Sequence, residues 1–277
     1  MGFRINSNIG AMNASLHSNL SNMGMNKSLG SLASGSAINY AAYDASGLGI
    51  ANQLSAQVSG LGRAIMNSNE SIGMLQVADG ALQEYGDTLE RVRTLTLQAS
   101  NGTLGASDRA IIQKEIDSLM ESADNIAKST TFNDINLLDG SGGSAGNGTF
   151  ITHTGANTDE NQSVTIGDAQ TASLLSGAID VTTQAGASAS LSTIDDAMKS
   201  IDGMRADLGA AQNQLMSNIR NISVTQINVA SAESQIRDID FAAESANFSK
   251  MNILSQTGSF AQAQSNAAQA NVLNLFK

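Results

Sequence analysis

The chain has 277 residues, with 14 Lys and Arg against 25 Asp and Glu; the formal net charge of -11 argues against a phosphate-binding surface and against nucleic acid as a partner, because that affinity rests on cationic contacts. Aromatic residues make up only 4%, so the packing surfaces must be narrow and built from Ala, Ile, Leu and Met rather than large rings. Cysteine, tryptophan and proline are all absent, which excludes disulfides, thiolate metal sites and Cys nucleophiles and permits helices without a proline break, where average usage would supply about 14 prolines.

From the start of the chain, apolar residues fall at Ile5, Ile9, Met12, Leu16, Leu20 and Met23, then Leu29 and Leu32, in steps mostly of three or four. This spacing predicts an amphipathic helix whose other faces are Asn and Ser, poor helix formers that would not hold it in isolation. No basic stretch leads into an unbroken apolar run, so no secretory signal is visible, and no run nears the roughly 18 residues of a membrane span. By these signals alone the chain reads as cytosolic. Ser31 to Ala51, studded with Gly, Ser and Asn, reads as an ordered connector, and a second helix is expected from about Ala51 to Ser100. Within it Leu75, Ala78, Leu82, Tyr85, Leu89, Val92, Thr96 and Ala99 form a heptad seam with one polar member.

Asn101 and Gly102 supply a C-terminal stop, and Ser107 with Asp108 can cap the next helix, which carries Ile112, Ile116, Leu119, Ala123 and Ile126. The helical period then disappears from Asn133 to about Ala189. Thr152 to Asp168 has β-branched residues on both sides of a turn-rich centre and predicts a hairpin, while Gly140 to Gly148 and Gly186 to Ser190 read as surface loops. Ser192 with Asp195 forms a potential capping box ahead of a long heptad frame. That frame runs through Ile201, Met204, Leu208, Ala211, Leu215, Asn218, Ile222, Thr225, Val229, Ala232, Ile236, Ile239, Ala243 and Ala246. The tail returns to small and amide side chains, with Phe241, Phe248, Met251, Leu254 and Phe260 as its apolar stripe and Val272, Leu273, Leu275 and Phe276 at its end.

Both ends are therefore helices with thin apolar stripes. Each gains too little burial to offset its ordering entropy alone, so they are expected to stay largely disordered until a partner covers them. Two such arms on every copy invite self-assembly, and a contact in which each copy covers the next propagates as an open helical filament.

Catalytic and ligand signals are weak. His17 and His153 stand without a second His or Cys nearby and read as plain polar positions. Gly47-Leu48-Gly49 lacks the third glycine of a dinucleotide loop and follows no strand, and no P-loop lysine occurs. No enzyme activity, cofactor or metal is expected. Glycosylation sequons at Asn101, Asn147 and Asn161 are common by chance in so Asn- and Ser-rich a chain, and seam methionines read as deformable core.

Several long motifs now line up in order. Phe3 to Ala14 (FRINSNIGAMNA), Ser36 to Ala51, Leu75 to Thr103 and Thr130 to Gly140 resemble the amino-terminal region of bacterial flagellins. Asp207 to Ile222, Ser231 to Gly258 and Ala268 to Phe276 resemble the carboxy-terminal region. The resemblance implies a mainly α fold, a long antiparallel helical coiled-coil bundle formed by the N- and C-terminal regions with a small β-hairpin region in the middle. It divides the chain into an arm and connector over 1–50, core helices over 51–140, a short hairpin and loop region over 141–191, a core long helix over 192–240 and a second arm over 241–277.

Flagellins polymerise into the hollow bacterial flagellar filament used for motility. The resemblance implies type III export without a cleaved signal, an extracellular filament, and a homopolymer that also meets the flagellar cap and hook-filament junction proteins, with an export chaperone on the C-terminal arm. Ile5, Ile9, Met12, Leu16, Leu20, Met23, Phe248, Met251, Leu254, Phe260, Val272, Leu275 and Phe276 are then the polymerisation arms that line the inner tube. Leu75, Leu82, Leu89, Val92, Ile112, Ile116, Leu208, Leu215, Ile222, Val229 and Ile236 are the core seam of the surrounding layer. Arg91, Leu95 and Glu115 match the patch that a vertebrate Toll-like receptor recognises in many flagellins; the plainer reading is two exposed charges and a leucine packed on the next subunit.

Two departures stand out: flagellins commonly carry arginines at the positions of Ser31 and Ala37 and an acid at that of Tyr43. The central region is also short, which predicts a thin filament without bulky outer domains. A hook-filament junction protein is the rival within this fold, and an exported effector or helical binding module the rival of another class.

Overall fold

A computed structural model describes residues 7–143, 145–175 and 177–274, the side chains of 272–274 excepted. Ile5, Leu275, Phe276 and the side chain of Val272 thus lie outside the described residues. The fold is mainly α, with two pairs of short strands in its middle.

The first helix, α1 (Ile9–Ser34), opens on Asn8, whose side-chain oxygen accepts the Ala11 N–H at 3.0 Å, and stops at Gly35 in the left-handed conformation with φ 71°. The connector is shorter than its composition suggests, because α2 (Ala45–Ala99) begins ahead of Ala51. Asp44 is the reason: its carboxylate accepts the Gly47 N–H at 2.8 Å and satisfies a free donor of the first turn. In α3 (Ala106–Ser129) the cap is Gly105 rather than Ser107, and the Asp108 carboxylate reaches back to the Gly105 N–H at 3.1 Å.

The strands β1 (Thr131–Phe132) and β2 (Ile135–Asn136) form a hairpin that period alone did not reveal. Asn133 and Asp134 take φ 52° and 61°, which a two-residue turn of the right hand demands. The expected hairpin is β3 (Thr149–His153) paired antiparallel with β4 (Asn161–Thr165), starting slightly before Thr152. A single turn, α4 (Thr171–Leu174), follows. The long helix α5 (Gln184–Arg237) begins well before Ser192, so no capping box forms there. The Thr183 hydroxyl accepts the Gly186 N–H at 3.0 Å and does the capping, while the Asp195 carboxylate takes the Arg93 Nε–H at 2.6 Å. Finally α6 (Phe241–Asn274) is capped by Asp240, whose carboxylate accepts the Ala242 and Ala243 N–H groups.

The chain divides into two compact units, Met1–Ala56 with Asn228–Lys277, and Gln57–Ile227. In the second unit the α2 seam from Leu75 to Ala99 is buried throughout, together with Ile112 and Ile116 of α3 and Leu208, Leu215 and Ile222 of α5. Met120 and Ala127 are the buried positions of α3 where the period suggested Leu119 and Ile126, which are half-buried. The polar member Thr96 satisfies its hydroxyl by donating to the Val92 carbonyl at 2.8 Å. Phe150, Val164 and Ile166 add the hairpin to the same core. Two ion pairs, Arg93–Asp195 at 2.6 Å and Arg205–Asp79 at 2.9 Å, register α2 against α5 in opposite directions. Val229 and Ile236 continue the heptad frame in sequence but are only half-buried.

Candidate assembly surfaces

In the first unit, α1 and α6 run antiparallel, as their paired residues show. Asn8 donates to the Ser265 carbonyl at 3.3 Å, the Ser265 hydroxyl to Asn8 at 3.0 Å, and the Ser255 hydroxyl to Asn22 at 2.7 Å. Small residues let the backbones approach. A methyl group built on Gly24 would meet the Met251 sulfur at 3.2 Å, and one on Gly258 would meet Ser18 Cβ at 3.2 Å. The face of α1 buried in this pair is Ala11, Ser21, Ser28 and Ser31, so it is small and mostly polar.

The apolar stripe points elsewhere. Ile9, Met12, Leu16, Leu20, Met23 and Leu29 are 53% to 69% exposed, and on α6 Ile253, Leu254 and Phe260 are exposed too. Phe248 and Met251 are half-buried, Met251 against Gly24. The helix pair therefore buries small and polar residues within the chain and leaves most of its large apolar side chains exposed. Exposed apolar side chains at this helical spacing are candidates for an interaction surface.

The connector between α1 and α2 is held by backbone. The Ala37 N–H donates to the Arg237 carbonyl at 2.7 Å and the Ile239 N–H to the Gly35 carbonyl at 3.2 Å, which ties it to the junction of α5 and α6. At the departures from the common pattern, Ser31 is buried at 3%, Ala37 is exposed, and the Tyr43 ring lies 4.4 Å from the Lys27 ammonium and edge-on to Tyr40. An exposed cation over an aromatic face contributes roughly 0.5–1 kcal/mol.

In the second unit, Arg91 Nη2 and Glu115 Oε1 lie 2.6 Å apart, with both side chains about half exposed. Leu95, between them on the pattern, is 3% exposed and packs into the unit's own core rather than on another subunit. Around this unit several carboxylates sit below their ordinary range: Asp195 through the Arg93 hydrogen bond, Glu160 through the Asn157 amide, and Asp180 through the Thr182 hydroxyl. Burial works against the Asp139 carboxylate, yet donors from Ser141 and Asn136 outweigh it and lower it as well. The buried Tyr85 hydroxyl is pushed up by desolvation. Among the described residues no three His, Asp or Glu gather to hold a metal ion, and no helix is long and apolar enough to cross a membrane. His153 pairs with Asn161 across the hairpin at 2.5 Å.

Residues 5–142 match the bacterial flagellin N-terminal helical region and residues 191–276 the bacterial flagellin C-terminal helical region. The chain belongs to the bacterial flagellin family. It is 36% identical to the flagellar filament 33 kDa core protein of Treponema phagedenis, over 99% of each chain. It is 38% identical to the flagellin of Bacillus subtilis, over 99% of this chain and all of that one. The solved flagellin of Bacillus cereus, 27% identical, superposes with a TM-score of 0.51 over 61% of this chain and 94% of its own.

As a flagellin it is a structural subunit of the flagellar filament, and its family is one of structural proteins. Sequence reading missed the β1–β2 turn, the Asp44 and Thr183 caps and the Lys27–Tyr43 pair. An Asn-Asp dipeptide between β-formers could have announced the turn, and a Thr three residues before a Gly the cap. Nothing local joins Lys27 to Tyr43, which the fold alone brings together.

Proposed function

We propose that the exposed stripes of α1 and α6 are the polymerisation surfaces, covered by neighbouring copies when the arms order into an inner tube with the heptad helices as a surrounding layer. One observation carries this reading: the arm pair buries small and polar residues internally and exposes Ile9, Met12, Leu16, Leu20 and Met23. Burying one such side chain contributes about 1.5–3 kcal/mol, which the isolated chain forgoes at each position. The filament lies outside the cell, its subunits exported without a cleaved signal and met there by cap and junction proteins, with a chaperone on the C-terminal arm beforehand. The absence of cysteine suits an export path that requires an unfolded chain.

Short filament seeds test it. The purified chain elongates them, whereas a chain with Leu16→Ser and Leu20→Ser stays monomeric with its circular dichroism unchanged; elongation by that variant at the normal rate would overturn the assignment, and failure of the unaltered chain would favour a junction protein or binding module. The short hairpin region supports a thin filament without outer domains. Recognition by a vertebrate Toll-like receptor is supported by the exposed Arg91–Glu115 pair, with the two charges rather than buried Leu95 as the contacting groups. A receptor-activation assay with Arg91→Ala and Glu115→Ala checks it, and unchanged activation would refute it.

A further inference from the structure

The tripeptide Asn-Gly-Thr occurs twice, at Asn101 and at Asn147, and both asparagines are exposed in the second unit. Both use the side-chain oxygen in the same way, accepting the N–H of the threonine two residues on, from Thr103 at 3.3 Å and Thr149 at 3.1 Å. They differ at the glycine. The Gly148 N–H donates to the Gly142 carbonyl at 2.8 Å, with φ 72°, inside the loop before β3. The Gly102 N–H, in the turn between α2 and α3, donates to no acceptor among the described residues.

That nitrogen is the reacting group in a self-modification of asparagine. We propose that Asn101 is a site of spontaneous deamidation and that the identical tripeptide at Asn147 is protected by its fold. The Gly102 amide nitrogen, its proton lost to hydroxide, attacks Asn101 Cγ; the new N–C bond closes a five-membered imide, the Cγ–Nδ2 bond breaks, and the side-chain nitrogen leaves as ammonia after protonation by water. Water then opens the imide at either carbonyl, giving an aspartyl or an isoaspartyl residue. At Asn147 the same attack must first free a nitrogen engaged in a hydrogen bond, a step that slows it about fivefold, the factor that one ordinary hydrogen bond carries.

The position gives the reaction a consequence. The Asn101 carbonyl accepts Arg109 Nη2 at 3.0 Å and the Leu104 N–H at 3.3 Å, and Arg109 Nε also donates to the Ala99 carbonyl at 2.8 Å. An aspartyl product adds a negative charge to the residue whose main-chain carbonyl Arg109 holds and keeps an oxygen for the Thr103 N–H. An isoaspartyl product lengthens the backbone by one carbon and displaces the carbonyl that Arg109 holds.

Peptide mapping by mass spectrometry, after incubation of the native full-length chain in mildly alkaline buffer, reads both sites in one sample. Conversion at Asn101 about fivefold or more ahead of Asn147, with the two rates equal once urea unfolds the chain, is the expected result. Equal native rates, a faster Asn147, or no conversion at Asn101 would each overturn the proposal, as would a difference that persists in urea and therefore belongs to flanking sequence rather than to the fold.

Discussion

Single residues in this chain divide by what covers them. Leu82 and Leu20 are the same side chain at the same kind of helical spacing, but Leu82 is fully buried and Leu20 is 53% exposed. Leu82→Ala is expected to destabilise the second unit by about 2–5 kcal/mol, read as a lower urea midpoint. Leu20→Ala is expected to leave the monomer within about 0.5 kcal/mol of the parent while slowing seed elongation. A comparable loss of monomer stability from both would mean that the α1 stripe is covered within the chain. The carboxylates make a second residue-scale prediction. Asp139, Glu160, Asp180 and Asp195 all have folded pKa values below their unfolded ones. Their contribution is therefore present above the ordinary carboxylate range of about pH 4 and lost as the pH falls through the folded values. Urea midpoints of the monomer are expected to hold level down to about pH 5 and decline below it, and Asp195→Asn is expected to flatten part of that decline.

At the scale of elements, helix bodies were legible from period while their beginnings were not. The reason is local: a body repeats its signal over many residues, but a start depends on one hydrogen bond. The Ser192 to Asp195 spacing fits a capping box, yet Thr183 caps α5, because Gln184 to Leu191 extend the helix upstream and bury Ala187 and Ser190. Thr183→Ala is expected to cost about 1 kcal/mol and to fray the first turn in hydrogen exchange, whereas Ser192→Ala is expected to change stability by less than about 0.5 kcal/mol. The heptad frame over-reads in the other direction. It continues past Ile222 to Val229 and Ile236, whose burial in the single chain is incomplete. Those positions, like the arm stripes, are where the pattern exceeds what one copy can bury.

For the whole molecule, that excess is the surface on which the proposed polymerisation would draw. Because each stripe side chain withheld from a neighbour forfeits about 1.5–3 kcal/mol, a single Leu16→Ala is expected to raise the critical concentration for elongation roughly tenfold, measured by sedimentation of polymer. Removal of 272–277 is expected to act in the same direction by stripping the apolar end of the second arm.

By itself the sequence determined that this is a helical subunit of the flagellin family: long motifs and long heptad stretches, with no proline to break their helices, survive any uncertainty about where a helix begins. It also marked which residues are apolar on each arm. Only the tertiary structure decided which of them face inward. On α1 the small residues Ala11, Ser21, Ser28 and Ser31 approach α6 and the large ones do not. On α2 the large ones are the core, and Leu95 belongs there rather than on a surface. Period tells that a helix has two faces, but which face is buried depends on how closely the partner helix comes. That approach is set by glycines and serines, such as Gly24 beneath Met251 and Gly258 against Ser18, distant in the chain and joined only by the fold.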